Sequence, residues 1–258
     1  MRAINQMTRE EIVAAIHKLK MPGLADAFVD QCDNPKYLNM TFETRIGIMV
    51  KHELETRDHR RQKRLLKEAG LTYVPANPED VLYGSDRGIV RAQLEELIEC
   101  KWIVASQPPS LLITGATGTG KTWIAQMLGR CACRNSLSVA YYRFPQLLEA
   151  MDDAALHRTS VSLRKRLAGR NLLIIDDFGL GQFSERTRSD FLSLIDERVG
   201  FASTIIVSQI PIKGWHEFIG EAYSADALAD RLVHGSYHLH LTGPSMRERN
   251  RPHLGDDS

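Results

Sequence analysis

Leu111-Leu-Ile-Thr-Gly-Ala-Thr-Gly-Thr-Gly-Lys-Thr122 (LLITGATGTGKT) decides the fold. An apolar run enters a glycine-rich turn, and a segment of helical character, WIAQMLGRCACRN, leaves it. Residues Gly115 to Thr122 fit G-x-x-x-x-G-K-[ST], a phosphate-binding loop that needs a strand before it and a helix after it. Gly115, Gly118 and Gly120 let backbone N–H groups turn toward an anion with no Cβ in the way, and Ala116, Thr117 and Thr119 complete the cradle. The helix N-terminus adds partial positive charge. Lys121 would reach the β and γ phosphates of a nucleotide, and the Thr122 hydroxyl would sit on Mg2+.

Downstream, Leu172-Leu-Ile-Ile-Asp-Asp177 reads as a buried parallel strand ending in two acids. Open α/β sheets place ligands at that strand end. Asp176 would hold Mg2+, directly or through water, and Asp177 would polarise the attacking water as general base. Thr204-Ile-Ile-Val-Ser-Gln209 is a further apolar run ending in polar groups. Ser208 or Gln209 would orient the water or touch the γ-phosphate; a plain strand-end polar pair is the other reading.

Outward from these strands the chain has two parts. Residues 1 to about 70 have helical periodicity. Thr8 with Glu11 three residues on is a capping box, MPGLADAF breaks and restarts the helix, and the segment from Thr41 stops at Gly70. LTYVPANPEDVL, residues 71–82, reads as a linker on its two prolines. From Tyr83 on, strands (LLIT, SVAYYRF, NLLIID, TIIVS, YHLHL) alternate with helices, including QLEELIECKWI. That rhythm predicts an α/β fold, a mostly parallel sheet covered on both faces. The domains expected are a helical one over residues 1–75 and a nucleotide-binding α/β one over 76–258.

The composition narrows the class. Apolar residues at 43% and charged residues at 25% of 258 are a globular mix, ruling out a disordered chain. A net charge of +1 means that any basic surface must be local. Cys32, Cys100, Cys131 and Cys133 include no C-x-x-C pair, so buried free thiols are expected rather than zinc or disulfides. No apolar run reaches the roughly 18 residues of a membrane span, and the N-terminus has no signal-peptide pattern.

LLITGATGTGKT, LLIIDDFG, TIIVSQIPIKGWHEFIG, ALADRL and LTGPSMRER, in this order, resemble the AAA+ ATPases. More narrowly, with KLKMPGLADAF and FETRIGIMVKHELETRDHRRQKRLLKEAGL near the N-terminus, they resemble the IstB-type ATP-binding helper proteins of bacterial insertion sequences, relatives of the DnaC helicase loader and the DnaA initiator. The resemblance covers nearly the whole chain. It implies a five-stranded AAA+ P-loop core, an all-helical N-terminal domain that meets DNA or transposase, ATP and Mg2+ as cofactors, and a bacterial cytoplasmic protein. Arg231, in ADRL, matches the arginine finger that reaches into a neighbouring subunit's site, and Arg247, in GPSMR, matches the second sensor. Asp177 stands where many AAA+ proteins have Glu, which predicts slow hydrolysis. Only 11 residues follow Arg247, which predicts a truncated lid.

Two basic stretches are candidates for DNA. Residues 41–70 hold eight Lys/Arg against five Asp/Glu. On a helix, Arg57, Arg60, Arg61 and Arg64 share one face along about 10 Å of axis, which suits a phosphate backbone or makes a solvated amphipathic face. In the resembled families the second stretch, Arg158 to Arg170, faces DNA; its candidates are Arg158, Arg164, Lys165 and Arg166. No base-reading module is visible, so contacts would be to phosphate and largely independent of sequence. The expectation is an ATP-dependent, DNA-binding transposition helper. It would form a homo-oligomer on duplex DNA, stimulate a partner transposase and disassemble on hydrolysis. A DnaC-like helicase loader is the alternative. A small-molecule kinase would need neither basic stretch, and an interaction module with a degenerate site would be indifferent to Lys121.

Overall fold

The computed structural model describes residues 7–72, 76–84, 86–219, 232–233 and 235–246. The chain divides into two compact units, Met1–Arg64 and Leu65–Ser258.

The first unit is helical. α1 (Arg9–Lys18) starts at the predicted capping box: Glu11 N–H donates to Thr8 Oγ1 at 3.2 Å, and Thr8 N–H donates to Glu11 Oε2 at 2.8 Å. α2 (Pro22–Asp33) restarts at a proline, whose missing N–H would be unbonded there anyway. α3 (Phe42–Glu68) follows. Gly23 allows α2 and α3 to approach, because a Cβ there would lie 2.8 Å from Thr56 Cβ. Glu53 of α3 is buried, and it accepts Leu24 N–H at 3.1 Å and Arg57 Nε–H at 2.6 Å. A carboxylate thus sits on the open N-terminus of α2, where the helix dipole favours it.

The second unit is a five-stranded parallel sheet in the order β2-β3-β4-β1-β5. Its strands are β1 (Leu111–Gly115), β2 (Val139–Arg143), β3 (Leu172–Phe178), β4 (Ser203–Ser208) and β5 (Tyr237–Leu241). All five coincide with runs picked out in the sequence. The helices are α4 (Arg91–Ile98), α5 (Lys121–Arg134), α6 (Phe144–Leu156), α7 (Ser160–Ala168), α8 (Glu185–Arg198) and α9 (Trp215–Ile219). Strand side chains alternate between two cores, as a sheet covered on both faces requires. Ile113, Ile174 and Val207 pack with Met127 and Leu128 of α5, and Leu65 and Ala69 from the end of α3 join them. Leu112, Ile175 and Ile206 pack with Phe144 of α6, Phe191 of α8 and Trp215 of α9. The last turn of α3 therefore belongs to the sheet unit.

Two local readings change. The helix expected through QLEELIECKWI stops at Ile98: Cys100 takes a left-handed φ of 59°, and a 3₁₀ turn, Lys101–Val104, follows. The stretch 71–82 is no free tether where it is described. Ala76 is fully buried, and Thr72 N–H donates to Gln126 Oε1 at 2.8 Å. Three of the cysteines, Cys100, Cys131 and Cys133, are buried free thiols as expected, and Cys32 is exposed. Burial pushes the Cys100 and Cys133 thiols up to about 12.

One side chain binds the back of the sheet together. Arg198, at 0% exposure, donates through Nη1 to the carbonyls of Leu167 (2.7 Å) and Arg170 (2.8 Å), through Nε to Thr204 Oγ1 (3.0 Å) and through Nη2 to the Ser203 carbonyl. It joins the end of α7 to the start of β4, and burial lowers its pKa to about 10. Replacing it strands several buried acceptors, each worth about 1–3 kcal/mol. Arg198→Met is expected to destabilise the protein by about 3 kcal/mol, a fall in Tm of about 6–12 °C in a scanning calorimetry experiment. A shift under about 2 °C would show that these bonds contribute little.

Candidate nucleotide site

The site gathers at the C-terminal edge of the sheet. β1 ends in the loop Gly115–Gly120, and α5 begins at Lys121. Gly115 has φ +145°, and a Cβ there would run into the Leu241 carbonyl of neighbouring β5. Gly118 has φ +84°, and a Cβ there would strike Ser245. Glycine is thus required at both positions by conformation and by space. Lys121 is buried, and its Nζ donates to the Gly115 and Ala116 carbonyls at 2.8 and 2.7 Å. The loop cradles its own ammonium group where a phosphate chain would compete for it.

β3 brings the acids. Thr122 Oγ1 donates to Asp176 Oδ1 at 3.1 Å, and the Asp177 N–H donates to the same oxygen at 2.8 Å. The Tyr141 hydroxyl, from β2, donates to Asp176 Oδ2 at 2.8 Å. Asp176 is 1% exposed; burial lifts its pKa, and the hydrogen bonds from Tyr141 and Thr122 act against that rise. Burial and the Asp176 charge push the Tyr141 phenol up, so it remains a donor. The pairing of β3 with β4 shifts between Ile175 and Phe178, and Asp177 has φ +56°. Arg143, opposite Asp176 in the register of β2, donates from Nε and Nη2 to Asp177 Oδ2 at 2.8 Å.

β4 closes the back of the site. Thr117 Oγ1 donates to Gln209 Oε1 at 2.7 Å, which joins the P-loop to the end of β4. Ser208 serves differently: its hydroxyl donates to the Phe178 carbonyl at 2.8 Å and accepts Ile210 N–H at 3.0 Å. Of the two polar residues left open by the sequence, Gln209 faces the loop and Ser208 braces the chain behind the acids.

A cavity of about 590 Å3 lies over this edge, lined by Gly118, Lys121, Thr122, Asp177 and Gln209 among others. The sequence missed its outer wall. Asp80, Val81 and Leu82, within the supposed linker, line it with Arg87, Trp123 and Met246. Arg87 is 7% exposed and spans the gap, its Nη2 donating to the Thr119 carbonyl at 2.7 Å and its Nη1 to the Leu82 carbonyl at 3.0 Å. No motif signals a lone arginine in a Gly-rich stretch. From the other side Met246 N–H donates to the Gly118 carbonyl at 2.8 Å. Arg247, the next residue, and Arg231 lie outside the described residues.

The cationic candidates divide. Arg57, Arg60, Arg61 and Arg64 are all exposed on α3, and Arg57 is bonded to Glu53 at 2.6 Å and to the Lys20 carbonyl at 3.3 Å. Lys165 and Arg166 are exposed on α7, and Arg158, also exposed, sits in the turn before it with φ +56°. Arg164 is tied to Glu197 at 2.7 Å and to Asp190 at 3.8 Å. No helix among the described residues is long and apolar enough to cross a membrane.

A P-loop at the end of β1, an acid pair at the end of β3 and a polar β4 end, on a sheet ordered β2-β3-β4-β1-β5, define a P-loop ATP-binding protein of the AAA+ fold. The chain belongs to the family of IstB-like ATP-binding proteins, matched over residues 14–253. It is 37% identical over 236 residues to a Sinorhizobium fredii protein named for an insertion sequence and ATP binding, covering 92% of this chain and 95% of that one. A Pseudomonas fluorescens insertion-sequence protein, also named for ATP binding, is 38% identical over 209 residues, covering 80% of this chain and 88% of that one. Among solved structures, DnaI matches with a TM-score of 0.54 at 17% identity, covering 72% of this chain and 98% of that one. AMPPCP-bound DnaA from Aquifex aeolicus matches with a TM-score of 0.55 at 22% identity, covering 67% of this chain and 51% of that one.

Arg87 lends itself to a direct test. Arg87→Met keeps the aliphatic stem and removes the bonds to Leu82 and Thr119. Removing a hydrogen bond from a charged group predicts about tenfold weaker nucleotide binding by calorimetry. An unchanged affinity would remove this bridge from the site.

Proposed function

We propose that this protein is an ATP-hydrolysing, DNA-binding transposition helper, which assembles on duplex DNA with ATP bound and stimulates a partner transposase. The observation that carries the reading is the pairing of Thr122 with Asp176 beside a buried Lys121, in a chain of the IstB-like family. A helicase loader shares this module, and the insertion-sequence names of the relatives favour transposition.

The donor set suits Mg2+, a hard cation that keeps several waters and takes one or two protein oxygens along with nucleotide phosphates. Thr122 and Asp176 offer such oxygens on the P-loop side. The ion, when bound, would offset charge on the β and γ phosphates. Lys121 would leave its loop carbonyls for those phosphates, and the N–H groups of the loop would cradle them. Gln209 would touch the γ-phosphate or orient water. Asp177 would accept a proton from that water once Arg143 releases it. With the arginine in place the carboxylate is engaged, which suits a site that holds ATP longer than it hydrolyses it. Arg231 would enter a neighbouring subunit's site, so that the triphosphate becomes part of the subunit contact. Arg247 would touch phosphate in its own subunit, and the Met246–Gly118 bond supports that placement.

DNA would run along α3 at Arg60, Arg61 and Arg64, and along α7 at Arg158, Lys165 and Arg166. Arg57 and Arg164 would contribute charge at the margins of these patches. The protein would meet phosphates, so binding would be largely independent of sequence.

Light scattering on the full chain with duplex DNA tests the assembly step. The mass is expected to rise with ATP and Mg2+ and to stay at its nucleotide-free value in Lys121→Ala. Assembly by Lys121→Ala equal to the parent would overturn the reading. The α3 face has its own signature: the double variant Arg60→Ala/Arg61→Ala is expected to lower the slope of log K against log salt by roughly 0.9 for each DNA phosphate that it no longer neutralises. A slope equal to the parent's would remove that face from the DNA path.

A further inference from the structure

The Asp176 carboxylate is served from two sides. Its Oδ1 takes the Thr122 hydroxyl and the Asp177 N–H, both from the nucleotide edge. Its Oδ2 takes the Tyr141 hydroxyl at 2.8 Å. Tyr141 stands on β2, outside every nucleotide motif in the chain, and phenylalanine would fill its ring space equally well. A part-buried hydroxyl at this place is costly unless it is bonded, and its bond goes to the acid.

Tyr141 is itself gripped. Its N–H donates to the Ala69 carbonyl at 2.8 Å. Gln126 lies on α5 at 0% exposure, surrounded by core residues. Its Oε1 accepts Thr72 N–H at 2.8 Å, and its Nε2 donates to Thr72 Oγ1 at 3.0 Å. A fully buried amide must be bonded to be tolerated. The chain that follows α3 thus holds Tyr141 through the Ala69 carbonyl and α5 through Thr72.

We propose that Tyr141 is the positioning residue that fixes Asp176 for the Mg2+ of the bound nucleotide. The inference rests on the nucleotide reading above and adds a residue to it. A carboxylate that turns freely about its Cβ–Cγ bond offers a metal ion several orientations. A donor fixed on Oδ2 removes that freedom and leaves Oδ1 directed toward Thr122 and the loop. Outer partners of this kind typically change metal affinity 10–100-fold when removed.

The test uses the full chain and a fluorescent ATP analogue, titrated in EDTA and across a range of Mg2+, with a melting curve for each variant. Tyr141→Phe is expected to bind the analogue in EDTA as the parent does, while the Mg2+ concentration at half-effect rises 10–100-fold. Tyr141→Met also lacks the hydroxyl and fills the space with a flexible side chain; it is expected to shift the Mg2+ midpoint in the same direction. Equal Mg2+ midpoints in parent and variants would overturn the proposal. So would equal weakening with and without Mg2+, which marks a packing role. If Tyr141→Phe fails to fold, an unmoved midpoint in Tyr141→Met overturns it alone. A parent that takes up no nucleotide in either condition sinks the nucleotide reading instead, and the two failures are distinct.

Discussion

A buried carboxylate surrounded by neutral donors is the constraint on which the site depends. Asp176 ends a run of apolar residues, in an interior where an isolated charge is costly. A lysine or arginine paired directly with it would neutralise the charge and occupy its lone pairs. Two hydroxyls and a peptide N–H hold it instead. Such donors stabilise the ionised form and still leave net negative charge, which is the condition for attracting a divalent cation. Their positions come from two strands and a helix, so β2 and β3 must be paired in register before the donors meet the acid.

The two adjacent acids reach the same edge of the sheet because the strand is irregular. In a regular strand, consecutive side chains point to opposite faces. Here the pairing slips between Ile175 and Phe178, and Asp177 takes a left-handed backbone. Asp176 then reaches Thr122 while Asp177 lines the same cavity. A left-handed aspartate costs free energy that neighbours must offset. Phe178 anchors the turn by packing against Phe144 and Trp215, and Ser208 holds the Phe178 carbonyl. The environments of the acids also differ. Asp176 is buried among hydroxyls, and Asp177 meets the Arg143 guanidinium at the rim. Different surroundings are what allow two like groups to take different roles.

Much of this was legible because the sequence repeats the physics of its own fold. LLIT, NLLIID and TIIVS are short, largely apolar and separated by helical lengths, so a sheet buried on both faces was readable from pattern alone. The loop was readable because its glycines answer to backbone needs visible at Gly115 and Gly118. What depends on strand order was hidden. Tyr141 and Arg143 look like ordinary strand residues until β2 lies beside β3 in register. Residues 71–82 looked like a linker because prolines mark irregular backbone, and irregular backbone can be buried when its polar groups find partners, as Thr72 does with Gln126. Glu53 stands four residues before Arg57 on the expected helix, so that pair was readable from spacing, whereas Glu197 reaches Arg164 only through the fold.

The P-loop motif supplies donors, and the chain outside it supplies walls. Arg87 ties the Thr119 carbonyl to the Leu82 segment, while Thr242 N–H donates to the Arg87 carbonyl at 3.1 Å and Met246 N–H to the Gly118 carbonyl. The loop is thereby clasped between the stretch that precedes the first strand and the stretch that follows the last. The first stretch reaches the loop through the Arg87 side chain, and the second through the Met246 backbone N–H. A nucleotide that displaces Lys121 from its carbonyls acts on a loop already bonded on both flanks. Movement of the loop would therefore be felt at the wall around Leu82 and at the chain leading to Arg247.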